Sequence, residues 1–296
     1  MMRIMLFLLT NISVMLVFGF LLFIVGIKQN SIESLMIMSV LCGFGGSFLS
    51  LIFSKWIALQ AVNGVLVKQA KTEQEEWLIK TIKKYSEIVG ITPPEISIYP
   101  SLEINAFATG ARRNSALIAV TTGLLQNMNK SEAEAVIAHE ISHIANGDMV
   151  TMTLIQGTVN TFVIFFSRIV ATIVTNFISS KKNEDNINNS NYPIFYFLVS
   201  MFTEMVFGGI ATIIIMWFSR NREFYADAGA AKIVGVDKMV AALKKLQMQN
   251  DQMNKGISSV TALCIHGQES FHLAKMFMSH PPLKKRIEAL YNRDYL

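Results

Sequence analysis

Ser131-Glu-Ala-Glu-Ala-Val-Ile-Ala-His139-Glu140-Ile-Ser-His143-Ile-Ala-Asn-Gly147-Asp148 is the stretch from which the rest of the chain can be read. Its small and apolar residues (Ala133, Ala135, Val136, Ile137, Ala138, Ile141, Ile144) predict a buried helix. Ser131 stands at its start as the expected N-cap, with Glu132 and Glu134 in the first turn. Residues four apart on a helix share a face, so His139 and His143 can reach one metal ion. Glu140 lies one step from His139, where it can take a proton from a water activated by that metal. A five-residue His-Glu-x-x-His pattern also arises by chance on exposed helices. Here the flanking residues predict burial, and unpaired buried His and Glu are costly, which favours the metal.

Outward from this helix the chain is unusually apolar. Of its 296 residues 52% are hydrophobic and 16% charged, and the excess is concentrated in long runs. Ile4 to Ile27 is uncharged and long enough to cross a bilayer, and no small-x-small cleavage site follows it. Ser34 to Ser54 is a second run with Gly43, Gly45 and Gly46 in its middle, where small residues allow close helix approach. Met149 to Ser180, broken only by Arg168, and Pro193 to Ser219, broken only by Glu204, form a second hairpin around a polar loop from Lys181 to Tyr192. The expected division is therefore a transmembrane hairpin at 1–58, half of a water-exposed domain at 59–148, a second hairpin at 149–219 and the other half at 220–296. Lys55, Lys68, Lys71, Arg220 and Arg222 follow the second and fourth runs and place that domain in the cytoplasm. The net charge of +5 is explained by this basic membrane flank, so nucleic acid is not expected as a partner. Cys42 and Cys264 make neither a disulfide framework nor a Cys-x-x-Cys pair, and the chain contains no phosphate-loop motif.

The water-exposed halves read as mixed structure. Thr72 to Val89 is a helix with Trp77, Ile79, Ile82, Tyr85 and Ile88 near helical spacing, ended by Gly90 and Pro93-Pro94. Glu95 to Tyr99, Phe107 to Thr109 and Ala116 to Thr121 read as strands, with a turn at Gly110 to Asn114. A catalytic metal site usually takes a third protein ligand. The position that would carry a third His in the extended motif is Met149. His266, His272, His280, Asp148, Glu204, Glu223 and Asp227 remain, and Glu223-Phe-Tyr-Ala-Asp227 is the best choice because its two carboxylates share a helical face. One can bind the metal while the other accepts the second N–H of a liganding His. The competing reading is a surface helix pairing with Arg220 and Arg222.

These motifs resemble the HtpX heat-shock membrane proteases, relatives of the CAAX prenyl proteases. The resemblance runs along nearly the whole chain: the opening apolar pair, Asn105-Ala-Phe-Ala-Thr-Gly110, His139 to His143 with Gly147-Asp148, Ser219-Arg-Asn-Arg-Glu-Phe-Tyr-Ala-Asp227, and Ser279-His-Pro-Pro-Leu-Lys-Lys-Arg-Ile287. It implies an α+β, mainly helical fold: a gluzincin-like metalloprotease domain on a four-helix transmembrane base. It further implies an endopeptidase of the bacterial inner membrane, with one Zn2+ per chain, acting on unfolded or damaged membrane proteins. His139, His143 and Glu223 would be the ligands, Glu140 the catalytic base and Asp227 the supporting acid. Asn105 and Ala106 would line the substrate, and His280 would lie near the active centre. The sequence names no oligomeric state.

The mechanism expected is attack by a zinc-activated water, with Glu140 moving the proton to the leaving amine. His280 or Arg286 would stabilise the developing oxyanion. The competing reading of that ending is a helix begun by Pro281-Pro282 with Lys284, Lys285 and Arg286 solvated. An extended substrate would add to an edge strand near Ala116 to Thr121; the competing reading of that run is an ordinary core strand. An intramembrane protease and a non-enzymatic scaffold with a structural metal are the rival classes. A last expectation concerns the membrane runs. Arg168 stands 13 residues before Lys181 and Glu204 stands 13 residues after Asn191, so in an antiparallel hairpin both lie at one depth and should pair; the rival reading is that Arg168 snorkels alone to the cytoplasmic interface.

Overall fold

The computed structural model describes residues 32–181, 192–261 and 280–295. The expected first membrane run, Ile4 to Ile27, and His266, His272 and Cys264 lie outside them. Three described helices are long and apolar enough to cross a membrane: Ile32–Ile52, Asp148–Ile178 and Ile194–Val234. The chain divides into two compact units, one of 1–49 with 153–212, the other of 50–152 with 213–296.

The first unit is built from long apolar helices. Helix α1 (Ile32–Ile52) and helix α6 (Asp148–Lys181) approach so closely that a Cβ on Gly43 would lie 2.5 Å from Thr161 N. A Cβ on Gly157 would meet the Phe44 ring at 2.7 Å. Association between helices in lipid rests on such packing rather than on expelling water, which explains the glycines. Helix α7 (Tyr192–Val234) lies antiparallel in chain order to α6, and Arg168 Nη2 is 3.8 Å from Glu204 Oε1. Arg168 also sits 6.0 Å from the Tyr196 ring centre.

In the second unit a short helix α2 (Ser54–Val62) leads to strand β1 (Val65–Leu66). Helix α3 (Glu73–Val89) is capped by Thr72, which accepts the Glu75 amide, and by Gly90 in the left-handed conformation. It buries Leu78, Ile82 and Tyr85, while Ile88 is exposed, so the apolar stripe is turned slightly from the one expected. Strands β2 (Glu95–Tyr99), β3 (Ala106–Arg112) and β4 (Ser115–Thr121) complete a sheet in the order β1-β2-β4-β3. Strand β4 runs parallel to β2 and antiparallel to β3, so it is interior. The expected substrate edge at Ala116 to Thr121 is thus corrected: that run is the core strand of the competing reading, and β1 and β3 are the edges. The reason was in the sequence, because Ala116 to Val120 is continuously apolar rather than alternating, as suits a strand buried on both faces.

Helix α4 (Thr122–Asn127) then turns the chain into helix α5 (Lys130–Asn146), which carries His139 and His143. Its N-cap is Asn129, not Ser131. The Asn129 side chain accepts from Glu132 N while Glu132 accepts from Asn129 N, a complete capping box. Helices α8 (Val236–Thr261) and α9 (Leu283–Tyr291) close the unit. The core joins Leu78, Ile118, Ile137, Ile141, Leu243 and Leu290.

Candidate metal centre

Two helix faces make the site. On α5, His139 and His143 are one turn apart and turn their Nε2 atoms toward each other, 3.1 Å apart. On α7, Glu223 and Asp227 are one turn apart, in the stretch of the helix that belongs to the second unit. Glu223 Oε2 lies 3.6 Å from His139 Nε2, and Oε1 lies 3.5 Å from His143 Nε2. Glycine at 229 permits this approach, since a Cβ there would lie 2.7 Å from Ser142 Oγ and 3.0 Å from Ser142 Cβ.

Behind each imidazole stands an aspartate. Asp227 Oδ1 is 3.0 Å from His139 Nδ1, near enough for a hydrogen bond but off its line. Asp148 Oδ2 is 2.5 Å from His143 Nδ1. Sequence reasoning left Asp148 among the unassigned acids. Its signal was Gly147, whose left-handed φ of 71° ends α5 and starts α6 at Asp148, returning that carboxylate to the last turn it has just left. Arg222, read from the sequence as a basic membrane flank or a surface partner, is ion-paired to Asp148. Arg286 was read as solvated in the competing view of the ending. That reading is corrected: Arg286 is only 5% exposed, and its Nε and Nη2 donate to Asp227 at 2.7 and 2.5 Å. The surface-helix reading of Glu223 and Asp227 falls with it, as both carboxylates are buried.

His280 Nδ1 lies 2.9 Å from Glu223 Oε2, with 65% of its side chain exposed. Glu140 is buried beside the pair, and its charge reaches His143 and Arg286. Asn105 opens the segment entering β3, where its N–H and carbonyl bond the Thr121 hydroxyl. Ala106 is the first residue of the edge strand.

The donor set fits a metal ion. A tetrahedral ion with bonds of about 2.0–2.2 Å sets its ligand atoms about 3.3–3.6 Å apart. The three separations here are 3.1, 3.5 and 3.6 Å. Charge agrees with distance. Four carboxylates (Glu140, Asp148, Glu223, Asp227) against two guanidiniums (Arg222, Arg286) leave two negative charges in the cluster. A divalent cation balances them, and a buried unbalanced charge is costly. The imidazoles respond to the same deficit. Burial pushes His139 down, but Asp227 and Glu223 outweigh it and hold its pKa above the ordinary value. For His143 burial again opposes, and Glu223 with Glu140 wins. Arg286 is likewise pushed down by burial and raised further by Asp227. Among the described residues, His139, His143 and Glu223 form the group able to hold a metal ion.

Known proteins agree with this arrangement. The profile of peptidase family M48 matches residues 72–294. Protease HtpX of Pectobacterium carotovorum subsp. carotovorum, of Pectobacterium atrosepticum and of Yersinia pestis are each 56% identical over 296 residues, covering 100% of both chains. The crystal structure of Ste24p from S. mikatae superposes with a TM-score of 0.66 at 20% identity, over 97% of this chain and 64% of that one, a likeness of fold. From the metal-ready helix pair, the apolar helices and these relatives together, the chain belongs to peptidase family M48, among the HtpX membrane metalloproteases.

Proposed function

We propose that this protein is a zinc-dependent endopeptidase of the bacterial inner membrane, with its second unit in the cytoplasm, cutting unfolded or damaged membrane proteins. The observation that carries the chemistry is the pair of Nε2 atoms 3.1 Å apart with one carboxylate closing the triangle. Two imidazoles and a carboxylate suit zinc. Zinc, when bound, polarises the scissile carbonyl and makes a nearby water acidic at neutral pH.

The chain's own residues do the rest. Glu140, one step along α5 from His139, accepts the proton of the attacking water and delivers it to the leaving amine. Its burial keeps bulk water from competing for that proton. His280 is the donor for negative charge developing on the carbonyl oxygen, because it stands exposed next to Glu223. Arg286 is unsuited to that role, since its three nitrogens face Asp227 and Glu223. An extended substrate adds to the outer edge of β3 from Ala106 onward, with the Asn105 side chain lining its approach. Lys55 just after α1, and Arg220 and Arg222 following the apolar stretch within α7, support the cytoplasmic orientation.

The test uses the full chain in detergent micelles, measuring zinc content and cleavage of an unfolded casein-like substrate. Glu140→Gln removes a base and not a ligand. Zinc is expected to stay and cleavage to fall about 10²–10⁴-fold. Undiminished cleavage by Glu140→Gln would overturn the mechanism.

A further inference from the structure

The metal-centre reading uses His139, His143, Glu223 and Glu140, with Asp227 in support, and leaves two buried or half-buried arginines without a task. Arg286 comes from α9 and Arg222 from α7, and each closes on an aspartate that touches the Nδ1 of one histidine. One chain of contacts is Arg286–Asp227–His139, with distances of 2.5–2.7 Å and then 3.0 Å. The other is Arg222–Asp148–His143, ending at 2.5 Å. The two chains arrive from different elements and different sequence distances, yet they are chemically the same: guanidinium, carboxylate, imidazole.

We propose that Arg222 and Arg286 are positioning residues of the metal centre, each fixing one aspartate so that its histidine presents Nε2 to the ion. The proposal rests on the metal-centre reading above. The physical reason is geometric. A carboxylate held only by a histidine N–H can rotate about its last torsion and let the ring turn. A guanidinium holds the carboxylate in plane and limits that freedom. The two arginines are not equivalent. Arg286 grips Asp227 through two nitrogens and reaches Glu223 Oε2 at 2.9 Å with the third, so one side chain positions a ligand and a ligand's support together. Arg222 meets Asp148 through Nη2, while its Nε has no hydrogen-bond partner. A lysine supplies one point charge and no fork. It should therefore replace Arg222 better than Arg286.

The experiment measures Zn2+ affinity by chelator competition and the visible absorption of the Co2+-loaded full chain in micelles, for Arg222→Met, Arg222→Lys, Arg286→Met and Arg286→Lys. Each Met variant keeps an unbranched apolar stem and loses the charged fork. Expected are about 10–100-fold weaker Zn2+ binding in both Met variants, as for loss of an outer partner, and a shifted Co2+ band. Arg222→Lys should recover most of the affinity and Arg286→Lys little. Should Arg286→Met fail to fold, Arg286→Lys and the Arg222 pair still decide. Unchanged affinity and an unchanged Co2+ band in any variant that folds without its fork, apart from Arg222→Lys, would overturn the proposal and leave the arginines as packing. His139→Ala and His143→Ala test the underlying reading separately: if they keep stoichiometric metal, the centre itself is misplaced, whatever the arginines do.

Discussion

At Glu223 a single carboxylate serves four neighbours: His139 and His143 Nε2 at 3.6 and 3.5 Å, and His280 Nδ1 and Arg286 Nη1 both at 2.9 Å. On the proposed zinc reading Glu223→Ala removes a ligand atom and a charge together, so zinc binding should weaken beyond the roughly 10–100-fold typical of an outer partner. Asp227→Ala and Asp148→Ala should each fall inside that range, because they touch only the far nitrogens of the rings. Chelator titration ranks the three. Equal affinity for Glu223→Ala and wild type would shift the third ligand elsewhere, with His280 as the nearest substitute. The paired aspartates also show what is visible in a sequence at this scale. Glu223 and Asp227, four apart on one helix, could be placed from spacing. Asp148 could not, because its role depends on the left-handed turn at Gly147, and a glycine before an acid is common in chains without a site.

Between elements, the decisive distance is set at Gly229, where α7 meets Ser142 of α5. Alanine is a better helix former than glycine by about 1 kcal/mol. A Cβ at 3.0 Å from Ser142 Cβ in a buried wall overpacks it, which costs about 1–3 kcal/mol. Overpacking should win, so Gly229→Ala is expected to lower the melting temperature and weaken zinc binding as Glu223 is pushed from the histidines. Adding Ser142→Gly should restore metal binding, though part of the stability is lost to the new helical glycine. If Gly229→Ala binds zinc normally, the helix spacing is not what positions Glu223. At the other end of α5, Asn129→Ala opens the capping box and should cost about 0.5–2 kcal/mol in thermal unfolding with metal stoichiometry unchanged. The expected helices and strands around the site were legible because periodicity and Gly or Pro stops are local, but the turn expected at Gly110 to Asn114 is only Arg113-Asn114, since β3 runs on through Gly110 to Arg112. The sheet order was not legible, since it depends on which strands pair across long separations, as Ile96 does with Ile118. Arg286 was misread for a related reason. Lys284-Lys285-Arg286 looks solvated as a run, and only the burial of one face of α9 with Ile287 and Leu290 selects the third member for the interior.

For the molecule as a whole, the charged pair Arg168 and Glu204 belongs to the first unit, on the stretches of α6 and α7 within it. An uncompensated charge within the membrane costs at least about 2.5–3.5 kcal/mol. Arg168→Glu and Glu204→Arg should each lower thermal stability and yield of the membrane-inserted chain, and the double exchange should recover much of the loss. Additive losses in the double exchange would mean the two side chains act separately despite their 3.8 Å contact. The placement of Arg286 has a consequence in time. Asp227 precedes Arg286 by 59 residues. At about 5–20 residues per second, a ribosome takes roughly 3–12 s to go from one to the other. During that interval a growing chain already holds its three candidate ligands and Glu140 but not the side chain that grips Asp227. Each newly made copy therefore passes its first seconds with an unfinished centre.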